Sequence, residues 1–258
     1  MAASIPPTPS RQTGEARTGR ILQTAVGVAF LLATLFTGFS PRMFSFNLGS
    51  VISGVLTPQP DSGASAPTTL KSVRIGIVSG HWGNGDDPGA VCPDGTNEKD
   101  VNLAIATLVQ QKLKAQGYNV DLLQEFDSRL DGYSAALLLS IHADTCDVID
   151  AQATGFKVAA STYSHDQNLA GRLTACLYDR YGAVTGLTHH AGSVTENMTD
   201  YHAFSAIDAS TPAAIIETGF LNLDRDILVN HPDKVADGVA AGVLCFVRNE
   251  SVKPTPTP

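Results

Sequence analysis

The chain has 258 residues, 43% of them hydrophobic and 16% charged, which excludes a wholly disordered polymer and a multi-span membrane protein. Seventeen Lys and Arg against 25 Asp and Glu give a net charge of −8, with no basic tract longer than two residues. A sequence-independent nucleic-acid binder needs clustered cations to neutralise phosphates, so nucleic acid is excluded as a partner class.

Residues 1–20 are small, polar and Pro-containing, with arginines at Arg11, Arg17 and Arg20. Ile21 to Phe39 follows as a run of 19 residues without a formal charge. At about 1.5 Å rise per residue such a helix nearly crosses a hydrocarbon core of roughly 30 Å. The run is longer than a signal-peptide core, and Ser40-Pro41-Arg42 offers no small-residue cleavage site. The favoured reading is an uncleaved signal-anchor; a cleaved signal peptide and a buried core helix are the alternatives. Three arginines before the span and one close after it favour an inside N-terminus, with the rest of the chain outside the cytoplasm. Residues 40–70, including TPQPDSGASAPTT at 57–69, read as a linker, and 251–258 as a tail.

Between them, residues 71–250 form one domain large enough to bury a core without staples. From residue 71 onward, 13 Lys and Arg face 23 Asp and Glu, a charge of −10. β-rich runs at Val73–Val78, Tyr118–Leu123, Ala136–His142, Gly155–Ala160 and Ala213–Thr218 alternate with helical patterns at Glu98–Gln116, His165–Arg180 and Pro232–Val247. On the first helix Val101, Ala104, Ile105, Leu108 and Leu113 share one side, and Gly117 stops it. Strands apolar on both faces, with helices between them, predict an α/β domain: a mixed, largely parallel sheet with helices on both faces.

Polar segments abut three of the strands: SGHWGNGDDPGAVCPDGTNEKD at 79–100, SIHADTC at 140–146 and IIETGF at 215–220. Ligands of open α/β sheets gather where strand ends run into loops, so His81, His142 and Glu217 are expected to converge, with Glu98 in the first turn of the following helix. Two imidazoles and a carboxylate with an open fourth position suit a catalytic Zn²⁺, and a further carboxylate suits a proton acceptor. The spacing His81-x16-Glu98-x43-His142 is not a single-helix chelate, and ordinary polar residues at strand ends would look the same.

The words around these residues separate the two readings. GHWG, DPGA, NEKDVNLAIA, SIHAD and PAAIIETGF, in that order from Val73 to Phe246, resemble the zinc-dependent N-acetylmuramoyl-L-alanine amidases of bacterial cell-wall turnover, the amidase-3 type. The resemblance implies that His81, Glu98 and His142 bind Zn²⁺ and that Glu217 is the catalytic carboxylate. It implies peptidoglycan, or a muramoyl-peptide, as the substrate, cut at the lactyl–L-alanine amide. Departures are visible. Val78-Ser79 stand before Gly80-His81, so an acidic neighbour of the loop is missing, and Asn84–Asp86 are extra. The stretch before SIHAD is shortened to SRLDGYSAAL, with Arg129 the only match for an arginine expected there. A degenerate cell-wall-binding module and a zinc carboxypeptidase or other amidohydrolase are the competing functions.

Other residues carry open readings. Asp86 and Asp87 are candidates for orienting a ligand histidine. Trp82 either stacks on substrate or packs, His202 either lines the cleft or does not, and Asp144 reads as a loop carboxylate. His189-His190 read as solvent-exposed loop histidines, because adjacent residues generally cannot turn the same way to chelate one ion. Gly219 either admits a close approach or is a plain turn glycine. Cys92 and Cys146 lie near proposed ligands, while Cys176 and Cys245 sit on predicted helices. Two disulfides within these sets are compatible with an oxidising compartment, but four cysteines allow three pairings.

Overall fold

A computed structural model describes residues 73–253 of the chain. The proposed membrane segment Ile21–Phe39, the segment 1–20 and the linker 40–70 lie outside the described residues. Among the described residues, no helix is long and apolar enough to cross a membrane.

Five strands form one sheet: β1 (Arg74–Ser79), β2 (Asn119–Gln124), β3 (Leu137–Asp144), β4 (Lys157–Ala160) and β5 (Ala213–Phe220). Their order is β2-β1-β3-β5-β4, parallel throughout except that the edge strand β4 runs antiparallel to β5. Three long helices pack on this sheet: α1 (Glu98–Ala115), α2 (Gln167–Thr185) and, near the C-terminus, α5 (Pro232–Val247). Two short helices, α3 (Glu196–Thr199) and α4 (His202–Ala206), precede β5. The mixed, largely parallel α/β architecture expected from the strand pattern is therefore present.

Local chemistry sets these boundaries. Asn97 caps α1 by accepting the Asp100 amide, acids occupy the first turn and Lys112 and Lys114 the last, all matched to the helix dipole. Asp166 caps α2 at two amides, and Gly186 ends it in a left-handed turn (φ 81°). The α1 stripe that faces the sheet is Val101, Ile105, Val109 and Leu113, with Asn102 and Ala106 beside it. Ala104, expected on that stripe, is exposed instead.

The two faces of the sheet are covered unequally. Ile75, Ile77, Leu137, Leu139, Ile141, Ala214 and Ile216 form one core with α1, α2 and α5. Val78, Leu138, Ala213 and Ile215 point the other way, against Leu130, Tyr133, Met198, Tyr201 and Phe204 from a 3₁₀ turn and the short helices α3 and α4. All three long helices thus share one face, so the expected cover of helices on both faces is corrected. Among the described residues, the other face carries only the short helices α3 and α4 and a 3₁₀ turn.

Two disulfides form within the sets expected from the sequence. Cys92–Cys146 (Cα–Cα 5.3 Å) ties the loop before α1 to the loop after β3, and Cys176–Cys245 (5.7 Å) staples α2 to α5.

Candidate metal centre

The polar residues singled out in the sequence meet at the carboxyl ends of the parallel strands. Gly80-His81 follow β1, Glu98 opens α1, His142 lies near the end of β3, and Glu217 is its register partner on β5. One buried oxygen joins them. Glu98 Oε1 lies 3.2 Å from His81 Nε2 and 3.2 Å from His142 Nδ1. The same oxygen accepts the Asn102 amide (3.1 Å) and the Ala143 backbone N–H (3.2 Å), while Oε2 accepts the Ala90 N–H (3.1 Å).

The imidazole tautomers follow from what lies behind each ring. His81 Nδ1 donates to Asp87 Oδ2 at 2.9 Å, so Nε2 is the nitrogen that faces Glu98, donating to it when the ring is protonated and offering a lone pair when the ring is neutral. His142 Nε2 points at the Tyr201 hydroxyl at 3.4 Å, which leaves Nδ1 on the Glu98 side. Of the two aspartates considered for orienting a ligand, Asp87 makes the contact and Asp86 is exposed.

His81, Glu98 and His142 each offer one ligand atom, and the three atoms lie within 4.8 Å of one another. His81, Asp87 and Glu125 satisfy the same distance on the other side of the His81 ring. There the carboxylate oxygens already accept hydrogen bonds from His81 itself, at Nδ1 and at the backbone N–H. That second set reads as support for the ring. The first set, two imidazole nitrogens and a carboxylate aimed at one point, fits the donor chemistry of a divalent metal.

Electrostatics agree. Burial works against charge on Glu98, but hydrogen bonds from His142 and His81 outweigh it and hold the carboxyl well below its usual range. The Glu98 hydrogen bond leads in raising His81 to about 9, against the cost of burial. Burial also opposes charge on His142, yet the Glu98 hydrogen bond and the nearby Glu217 carboxylate carry it upward. A metal cation bound here would displace those protons, since a metal needs neutral imidazoles.

Glu217 differs from Glu98. Its Oε2 is buried without a hydrogen-bond partner, and burial pushes the carboxyl up to about 7 against the pull of His142. Unpartnered buried carboxylate oxygens are rare unless chemistry uses them. On the far side of Glu217, its register partner on β4 is Lys157, whose buried amine pairs with Asp144. Asp144 is therefore held in an ion pair, not free as a loop carboxylate.

The structure places the remaining candidates as follows. His202 stacks on Phe126 (4.1 Å, 9° between planes) and contacts the Glu125 carbonyl (3.2 Å). His189 is half-buried against Phe156 and Tyr178, not solvent-exposed as expected, and burial lowers its pKa. Arg129 clasps Asp127 and the Leu122 carbonyl, so it serves the turn after β2. Gly219 backs onto Asp224, whose carboxylate accepts the amides of Gly155 and Phe220. Sequence reasoning missed Glu125, Tyr201 and Lys157.

A family model described as N-acetylmuramoyl-L-alanine amidase (Amidase_3) matches residues 75–245. The chain belongs to this family. A curated relative, the N-acetylmuramoyl-L-alanine amidase AmiC of Neisseria meningitidis serogroup B, is 34% identical over 108 residues, which is 38% of this chain and 24% of the relative. The match thus spans about a quarter of that relative's length. Among solved structures, an N-acetylmuramoyl-L-alanine amidase from Clostridium difficile 630 shares the fold with a TM-score of 0.57 at 22% identity, over 70% of this chain and 99% of that one. The CwlD amidase of Clostridioides difficile, solved with the GerS lipoprotein, gives 0.55 at 22% identity over 69% and 100%. Ami1 of Mycobacterium smegmatis gives 0.55 at 17% identity over 69% and 98%.

The geometry makes two variants informative about the centre. His142→Ala removes one of the three candidate donor atoms. Gly80→Ala would drive a methyl group into the His142 ring. Both should lower the metal content of the intact chain, His142→Ala nearly to background and Gly80→Ala at least about tenfold in affinity. Metal analysis showing full occupancy in both would place the ion elsewhere.

Proposed function

We propose that this amidase-family chain hydrolyses the amide between N-acetylmuramic acid and L-alanine in peptidoglycan, using a Zn²⁺ held by His81, Glu98 and His142. The observation that carries the reading is the juxtaposition of that ligand set with a buried, unpartnered carboxylate on the neighbouring strand. When bound, zinc supplies Lewis acidity that makes water a usable nucleophile near neutral pH and polarises the amide carbonyl.

The chain's own residues supply the rest. His81 and His142 present lone pairs because Asp87 and Tyr201 occupy their other nitrogens. Glu217 Oε2 takes the proton from the attacking water and returns it to the amide nitrogen as the C–N bond breaks. An upward-shifted carboxyl suits both halves of that transfer. A module that only binds cell-wall peptides needs neither the ligand triad nor an orphaned acid. The E-K-D and E-T-G-F words argue against a carboxypeptidase.

We place the domain outside the cytoplasm. Two disulfides in a domain of this size fit an oxidising compartment. The uncharged run Ile21–Phe39 is the proposed anchor, and a linker of about 30 residues would reach roughly 30 Å if it followed random-coil statistics. A tether of that reach raises the local concentration of an acidic domain near an anionic wall, where charge attraction gives no help.

Glu217→Gln keeps shape and hydrogen bonding but removes the proton acceptor. Zinc should stay bound while turnover of a muramoyl-peptide falls by roughly 10²–10⁴-fold, the range for general acid–base groups. Wild-type kcat in that variant would make Glu217 structural. For location, the native protein should keep its N-terminus and sediment with membranes. A mature start beyond Phe39 would replace the anchor with a cleaved signal and leave the enzyme reading intact.

A further inference from the structure

Glu125 follows β2 and is nearly inaccessible, at 5% exposure, yet no part of the reaction described above uses it. A buried carboxylate persists only where its oxygens are satisfied, and what satisfies them is informative. Oε2 accepts the backbone N–H of His81 at 2.7 Å. Oε1 accepts the hydroxyl of Tyr201 at 2.9 Å. That hydroxyl in turn stands 3.4 Å from His142 Nε2, with the two rings edge to face (5.4 Å, 85°). One carboxyl group therefore reaches both imidazole ligands, the first through its main chain and the second through a phenol.

The contact with His81 meets a particular need. His81 has a φ of 63°, a left-handed conformation that non-glycine residues adopt at a cost in strain. Such a conformation persists only when the surroundings over-determine it. A short charge-assisted bond to the His81 N–H does this, because it fixes the peptide plane that sets the direction of the side chain. Glu125 is itself pinned. Its N–H donates to the Trp82 carbonyl at 2.9 Å, and its carbonyl lies 3.2 Å from His202 Nε2. The loop carrying His81 is thus stitched to the end of β2 by bonds in both directions.

The contact with His142 sets a tautomer. For Nδ1 to offer a lone pair, Nε2 must carry the proton and find an acceptor. The Tyr201 oxygen is that acceptor, and it stays oriented to accept because its own hydrogen is committed to Glu125. The relay runs in one direction: His142 Nε2–H to Tyr201 oxygen, Tyr201 O–H to Glu125 Oε1. Asp87 does the same for His81 Nδ1 directly.

We propose that Glu125 is a positioning residue which, with Tyr201 as its relay, sets the pose of both histidines toward a metal ion. The proposal rests on the metal reading given above. It assigns no contact between Glu125 and substrate or metal.

The test strips the intact chain of metal and titrates it with Zn²⁺, then repeats with Co²⁺, whose visible spectrum reports the ligand field. Glu125→Ala, Glu125→Gln, Tyr201→Phe and the double variant Glu125→Ala/Tyr201→Phe are compared, with near-UV circular dichroism showing that each is folded. Zinc affinity should fall about 10–100-fold in Glu125→Ala, the range for groups that orient ligand imidazoles. Tyr201→Phe should lose part of that, and Glu125→Gln should recover part, since its amide oxygen still accepts one of the two hydrogens. The double variant should lose less than the two single losses combined, because the carboxylate reaches His142 only through the phenol. The Co²⁺ spectrum should shift in each. Wild-type affinity and spectrum in folded Glu125→Ala and Tyr201→Phe would overturn the proposal, and if Glu125→Ala does not fold, Tyr201→Phe decides alone. A wild-type chain that takes up neither ion would instead overturn the metal reading, and the positioning role with it.

Discussion

A single buried oxygen, Glu98 Oε1, is the point on which the site depends. Two imidazoles, a side-chain amide and a backbone N–H converge on it within 3.2 Å. An isolated carboxylate at this depth would cost several kcal/mol in lost hydration, so it is tolerable only when surrounded by donors or cations. Glu98 gains further support from its place in the first turn of α1, where the backbone amides favour negative charge. The start of α1 is therefore part of the site. It is fixed by the Asn97 cap on one side and, through the preceding loop, by the Cys92–Cys146 bridge to the segment after β3. Two ligand-bearing loops are joined covalently as well as electrostatically.

The sheet organises the remaining charges in a row. His142, Glu217 and Lys157 are register partners across β3, β5 and β4, so their side chains emerge on one face at strand spacing. The order places a carboxyl of raised pKa between the imidazole of His142 and the buried Lys157. Asp144 neutralises Lys157, which leaves Glu217 with no direct partner at Oε2. The short helices α3 and α4 flank Tyr201, and His202 opens α4.

Much of this was legible in the sequence because it is local. The strands fall within about two residues of the hydrophobic runs, Pro232–Val247 is a helix as read, and the four proposed site residues sit in short words at strand ends or a helix start. What escaped was long-range or short. Glu125 touches His81 across 44 positions and Tyr201 across 76, and nothing in the residues beside Glu125 marks either contact. Lys157 looked like a strand residue because its role depends on an antiparallel register with Glu217. Helices of four or five residues, such as Glu196–Thr199 and His202–Ala206, are too brief to show a period. His189 was misread because a dipeptide of histidines looks solvated, whereas Phe156 and Tyr178 enclose its ring.

The central claim is that metal binds on the Nε2 side of His81. Anomalous diffraction from crystals of the zinc-loaded protein tests it most directly. The account predicts one peak at about 2.0–2.2 Å from His81 Nε2, His142 Nδ1 and a Glu98 oxygen, with Asp87 still bonded to His81 Nδ1. A peak on the Nδ1 side, held by Asp87 and Glu125, would contradict it.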